Sequence, residues 1–160
     1  MTITLVPMKE ADFAWYRENL AVAYAQEQVE SGQWDAATAL DQARASIVRD
    51  LPQGIATLDN SLYLVLAEGN PDPVGQLWFM IRPGIAPSAF IMDIEIYAPY
   101  QRKGYAQQAL QALEALLKPL GISKIGLHVH VQNRGAQALY EKMGYSVTGL
   151  RMIKKLDADE

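Results

Sequence analysis

A chain of 160 residues with 14 basic and 18 acidic side chains, half of it apolar and none of it cysteine, has the size of one folded domain. The missing cysteine excludes disulfide scaffolds, thiolate zinc sites and cysteine nucleophiles together, and the net charge of −4 weighs against non-specific nucleic-acid binding. No run approaches the roughly 18 apolar residues of a membrane span, and residues 1–7 lack the basic start and apolar core of a signal peptide, so the expected location is the cytoplasm.

Residues 2–8 alternate Ile3 and Leu5 with hydroxyls, as a short strand does. Residues 10–30 place Phe13, Tyr16, Leu20 and Tyr24 at helical spacing, and Ser31-Gly32 ends them. Asp35 is the expected N-cap of a second helix, with Leu40, Ala43, Ile47 and Leu51 inward and Pro52 as its stop. The pattern then turns to strands at 62–67, 74–81 and 89–97, separated by turn clusters at 69–73 and at Arg82-Pro83-Gly84. Three strands without an intervening helix predict an antiparallel meander.

Residues 105–120 form the strongest helical pattern, with Ala106, Ala109, Leu110, Leu113, Leu116, Leu117 and Leu120 in one stripe and Gly121 at its end. A strand at 124–131, a helix at 134–143 closed by Gly144, and a last strand or pair of strands in 145–156 complete the chain. The expectation is a single α/β domain over 1–160: a mixed, largely antiparallel twisted sheet of about six to seven strands flanked by about four helices.

Charge is divided along the chain. Between residues 100 and 155 nine basic side chains meet only Glu114 and Glu141, a balance of +7, which leaves −11 for the remainder. Such polarity suits an anionic ligand on one part and a cationic one on the other. Gln101-Arg102-Lys103-Gly104-Tyr105-Ala106 stands at the head of the strong helix, where first-turn N–H groups lack intrahelical acceptors and the helix dipole is positive. Gly104 and Ala106 let an anion approach the backbone, and Arg102 and Lys103 add positive charge, so a pyrophosphate fits. No Gly-Lys dipeptide exists, which excludes a Walker-type phosphate loop.

Further on, Leu127, Val129 and Asn133 stand at spacings of two and four, Leu139-Tyr140-Glu141-Lys142 follows, and Gly144-Tyr145 closes the helix. Over about 94–145 the order of these motifs resembles the GNAT superfamily of acyl-coenzyme A dependent N-acetyltransferases. The resemblance implies acetyl-CoA as acyl donor, no metal, and pyrophosphate binding by Gln101, Arg102, Lys103, Gly104, Tyr105 and Ala106. It implies a splay between two central parallel strands, 92–98 and 124–131, in which a pantetheine arm pairs with the backbone of Ile96, Tyr97 and Ala98. A bulge near 96–98 would expose those groups. It also gives Asn133 a cofactor contact and Tyr140 a cofactor contact and the role of general acid. By its own position Asn133 is equally an N-cap, and Tyr140 equally a core aromatic.

Asp93 and Glu95 share a strand face, expected opposite Met92, Ile94 and Ile96, and a carboxylate on a buried strand is costly without a partner or a task. Glu95 is the first candidate base for deprotonating an alkylammonium of pKa about 10.4. A relay through His128 or His130 is the second candidate, and the amide of Tyr97 a candidate oxyanion donor. The two histidines have no apparent third metal ligand. With no cysteine for an acyl intermediate, the implied reaction is direct attack of a small-molecule primary amine on acetyl-CoA. The resemblance assigns 90–145 to the donor and 1–60 to the acceptor side, where Trp15, Tyr16, Tyr24 and Trp34 could line an apolar or cation-binding wall and Glu27 and Glu30 could meet an ammonium; a packed pair of helices with solvated acids is the other reading of those residues. A non-catalytic acyl-CoA sensor and an enzyme acting on a protein or RNA-linked amine remain alternatives. A membrane partner is not expected, nucleic acid is disfavoured, and a homodimer is compatible with the sequence.

Overall fold

Alternating apolar residues build one sheet, and two sets of helices close over its faces. The structure is a computed structural model describing residues 2–156; Met1 and 157–160, the ends of the expected domain span, lie outside the described residues. The strands are β1 (Ile3–Pro7), β2 (Asn60–Ala67), β3 (Gly75–Arg82), β4 (Ser88–Ile96) and β5 (Ile125–Leu127), lying side by side in that order. β1 to β4 pair antiparallel, as the meander requires, and β4 pairs with β5 in parallel.

The helices are α1 (Glu10–Glu30), α2 (Ala39–Asp50), α3 (Tyr105–Leu117) and α4 (Arg134–Lys142). On one face Phe13, Tyr16 and Ala21 of α1 and Ala43 and Ile47 of α2 pack with Leu62 and Trp78. On the other, Leu110, Leu113 and Leu117 of α3 pack with Leu77, Phe79 and Ile91, and Leu139, Tyr140 and Met143 lean on the same cluster from the α4 end. Each fully buried leucine of that stripe contributes about 1.5–3 kcal/mol of transfer free energy, which holds α3 and its N-terminus in place.

Several local expectations are corrected. α2 starts after Thr38 rather than Asp35, whose carbonyl instead accepts the Thr38 amide at 3.2 Å in a preceding turn. α3 tightens to a 3-10 turn over Lys118–Leu120, because Pro119 brings no N–H and crowds the preceding turn; Gly121 then closes the segment at φ 79°. The expected strand at 124–131 pairs only over Ile125–Leu127, and 145–156 forms no strand. Gly149 breaks the alternation there, and Val147, Leu150 and Met152 are exposed. The sheet therefore has five strands among the described residues, fewer than expected, and the parallel pair lies at its edge instead of its centre.

The bulge falls elsewhere than expected. Trp78 lies opposite Asp93 and Phe79 opposite Ile91, so Met92 is the extra residue on β4. Ile91, Ile94 and Ile96 pack on the α3 side, while Met92 joins the α1–α2 cluster and Asp93 meets Tyr16 of α1. Met92 is thus on the same side as Asp93, not opposite it. Near 96–98 the strand ends in a 3-10 turn, Ala98–Tyr100, with Pro99 inside it.

Candidate functional site

β4 and β5 are paired only from Ala89↔Ile125 to Ile91↔Leu127. Beyond that point β4 runs on to Ile96 while 128–133 leaves it, so the two strands separate where Asp93 and Glu95 stand. The chain then passes through Ala98–Tyr100 to the head of α3. The Gln101 side chain donates to the Ile96 carbonyl at 2.8 Å, clamping this loop to the end of β4. Arg102 (φ 65°) and Gly104 (φ 81°) both take left-handed backbone, and Gly104 serves as N-cap of α3. A Cβ on Gly104 would find nothing closer than Gln108 Nε2 at 3.9 Å, so the approach to the helix head is open. The Gln108 amide donates to Gly104 O at 3.1 Å, and the amides of Ala106 and Gln107 precede any such acceptor. With Arg102 and Lys103 exposed beside them, these donors fit a pyrophosphate. The Tyr105 ring is buried among Val65, Val74 and Ile96, so its part in such a cradle belongs to its backbone.

Inside the opening, side chains from three elements form one network. Tyr16 of α1 donates to Asp93 Oδ2 at 2.8 Å, and Gln76 Nε2 of β3 donates to the same oxygen at 2.8 Å. Gln76 Nε2 also lies 3.4 Å from Glu95 Oε1, and its Oε1 accepts from the Tyr97 hydroxyl at 2.9 Å. The Tyr97 ring packs edge-on against Trp15 at 5.9 Å. Burial raises the Asp93 carboxyl above the usual range, against the lowering effect of Tyr16 and Gln76. Glu95 is raised by burial and then by the charges of Asp93 and Glu27. Glu27, on α1, is raised by burial, Asp93 and Glu30, and stands 4.0 Å from His130 Nε2.

Tyr140 reaches this neighbourhood from α4. It is half-buried, packs against Tyr145 at 5.7 Å, and is pushed up to about 12 by burial and by Asp93 and Glu27. It also lines an open cleft of about 810 Å³ with Tyr24, Gln28, His128, His130 and Gln137. Glu95, Tyr97 and the 101–106 loop lie outside that cleft. His128 and His130 stack edge-on at 5.0 Å, past the end of β5 and so outside the strand expected over 124–131. Burial lowers His128. Asn133 caps α4, accepting the Ala136 amide at 3.2 Å.

Two corrections concern the backbone near the end of β4. The Tyr97 amide, an expected oxyanion donor, is committed to Val74 O at 2.8 Å. The Ile96 carbonyl already accepts from Gln101, and the exposed Ala98 begins the 3-10 turn, its carbonyl accepting the Gln101 amide at 3.4 Å. Sequence reasoning missed Gln76 altogether and read Tyr16 as part of a helical stripe and of an acceptor-side aromatic wall, not as a partner of Asp93. The available signal was a lone amide in the apolar run 74–81.

Residues 15–145 match the acetyltransferase (GNAT) family, and the chain belongs to that family of acyltransferases. Among its relatives, the uncharacterized N-acetyltransferase YycN of Bacillus subtilis (strain 168) is 38% identical over 157 residues, covering 98% of this chain and all of its own. The crystal structure of YycN superposes with a TM-score of 0.92, covering 97% of this chain and 99% of the other. The uncharacterized N-acetyltransferase YdgE of the same strain is 32% identical, covering 98% and 99% of the two chains. The aminoglycoside 6'-N-acetyltransferase AAC(6')-Ih of Acinetobacter baumannii shares the fold alone, with 16% identity, a TM-score of 0.61 and coverage of 98% and 99%.

Proposed function

We propose that this acyltransferase moves an acetyl group from acetyl-CoA to the primary amine of a small molecule by direct attack within a ternary complex. The observation that carries the reading is the convergence of Glu95, Asp93 and Glu27 where β4 and β5 separate, one short turn from the glycine-opened head of α3. Carboxylates raised by burial, and for Glu95 and Glu27 also by neighbouring acids, suit both an incoming ammonium and the removal of its proton. The cleft of about 810 Å³ beside Tyr140 is in the range of small-molecule sites.

Arg102, Lys103 and the first-turn amides of α3 hold the pyrophosphate of the donor, and acetyl-CoA supplies an activated thioester carbonyl. Glu95 accepts the proton of the amine, directly or through water. Burial and the charges of Asp93 and Glu27 raise its pKa, which makes it a stronger base than an ordinary carboxylate. Tyr140, at about 12, keeps its proton through the neutral range and offers it to the leaving sulfur. Asn133 orders the head of α4, which carries Tyr140.

The test follows free-thiol release from acetyl-CoA across polyamines, amino acids, aminoglycosides and peptides, with product mass as confirmation. One or more small amines should accelerate release, and Glu95→Gln should depress kcat/KM for that amine. Acceleration by peptides alone would overturn the small-molecule acceptor, and full activity of Glu95→Gln would remove Glu95 as base.

A further inference from the structure

Gln76 has no part in the steps above, yet it is the best connected side chain of the site. It is 2% exposed, in the most deeply buried stretch of β3, where an amide without partners would cost several hydrogen bonds' worth of desolvation. All of its polar atoms are engaged. Carboxylates only accept, so the NH2 group faces Asp93 (2.8 Å) and Glu95 (3.4 Å), and the carbonyl faces the Tyr97 hydroxyl (2.9 Å). The reverse orientation would set a carbonyl oxygen against two acids. Asp93, itself held by Tyr16, therefore dictates which way Gln76 points, and Gln76 dictates where the Tyr97 proton goes.

We propose that Gln76 is the positioning residue of the acceptor end: it accepts the hydrogen bond of the Tyr97 hydroxyl and steadies Glu95, so that both present oxygen lone pairs to an N–H donor. Tyr97 then contacts the acceptor amine as a hydrogen-bond acceptor, with Trp15 bracing its ring. This rests on the amine-acetylation reading and deepens it: a site lined by acceptors selects an ammonium or amine over a group that only accepts. The other titratable groups around Glu95 and Tyr97 are Asp12, Tyr16 and Glu27 from α1 and Asp93 from β4; Tyr140 of α4 and His130 adjoin Asp93 and Glu27.

The experiment uses the full chain and whichever amine of the panel releases thiol fastest. Tyr97→Phe should raise the KM of that amine about tenfold, the effect of one lost charge-assisted hydrogen bond, with the KM of acetyl-CoA unchanged. Gln76→Met should do the same, and the double variant should be no worse than Gln76→Met alone, since the two side chains act as one unit. Multiplying effects, an unchanged amine KM in Tyr97→Phe, or a parallel rise for acetyl-CoA would overturn the proposal. In the free protein, 13C titration of the Asp93 carboxyl should show a higher midpoint in Gln76→Met, because a donor to its charged form is lost; an unmoved midpoint counts against the proposal. If Gln76→Met does not fold, Gln76→Glu carries the test: it is isosteric but sets an acceptor in place of the donor that faces Asp93 and Glu95, so the amine KM should rise about tenfold while that of acetyl-CoA stays unchanged. A wild-type amine KM in Gln76→Glu would refute the positioning role. If no amine accelerates thiol release, the acceptor reading falls, and the Asp93 midpoint still judges Gln76 on its own.

Discussion

Gly75 offers a sharp test of how the site is held. It begins β3 opposite Ile96, and a Cβ built there would stand 2.3 Å from the Glu95 carbonyl oxygen and 2.8 Å from Ile96 Cδ1. The oxygen is backbone in a paired strand, so relief requires β3 and β4 to part by about 1 Å at the point where Glu95 and Gln76 face each other. Overpacking of this kind costs about 3 kcal/mol, and at about 2–4 °C per kcal/mol for a chain of this size Gly75→Ala should melt about 6–12 °C below wild type. Differential scanning calorimetry reads this directly. Gly135→Ala is the control: it lies in α4 with no atom within 4 Å of the added methyl, so it should melt at or slightly above wild type. The same displacement moves Glu95, so kcat of Gly75→Ala should fall even at a temperature where it is fully folded. A Gly75→Ala protein with wild-type melting and wild-type kcat would refute the close-approach reasoning.

Three further outcomes are expected. Tyr140→Phe should lower kcat by about 10- to 100-fold, a larger effect than isothermal calorimetry finds on coenzyme A affinity; unchanged turnover would remove Tyr140 as proton donor. Gly104→Val forces a branched side chain into φ 81° at the head of α3 and should weaken coenzyme A binding in the same titration, with wild-type affinity sinking the pyrophosphate assignment. Asp93→Asn keeps an oxygen able to accept from Tyr16 and Gln76 but removes the buried charge. Because the folded pKa of Asp93 is raised, its ionisation costs stability that is absent below the unfolded value of about 3.8 and fully felt above the folded one. The melting temperature of Asp93→Asn relative to wild type should therefore rise as pH increases from 3.8; a difference that shrinks would reverse the sign of the argument.

Much of the scaffold was legible because it follows local rules. The α1 range, the β2–β3–β4 meander, the α3 stripe and the Asn133 cap each rest on periodicity or on a terminating residue a few positions away. The head of α3 was equally legible, since a glycine before an amphipathic helix has few other uses. The extent of β5 and the course of 145–156 were not: strand pairing depends on a partner distant in sequence, and apolar alternation alone does not supply one. The Met92 bulge was hidden for the same reason. It exists only as a mismatch between two strands, each regular when read alone.

The sequence by itself determined the family, the α/β class, the order of elements as far as α4 and the glycine-led start of α3, because these depend on the identity and spacing of neighbouring residues. Only the tertiary structure decided what the carboxylates do. Asp93 turned out to be a half-buried, doubly hydrogen-bonded anchor, and Glu95 the more exposed of the pair. Their difference comes from Tyr16 and Gln76, 77 and 17 residues before Asp93 in the chain. Hydrogen bonds and desolvation depend on distance in space, and folding alone sets those distances.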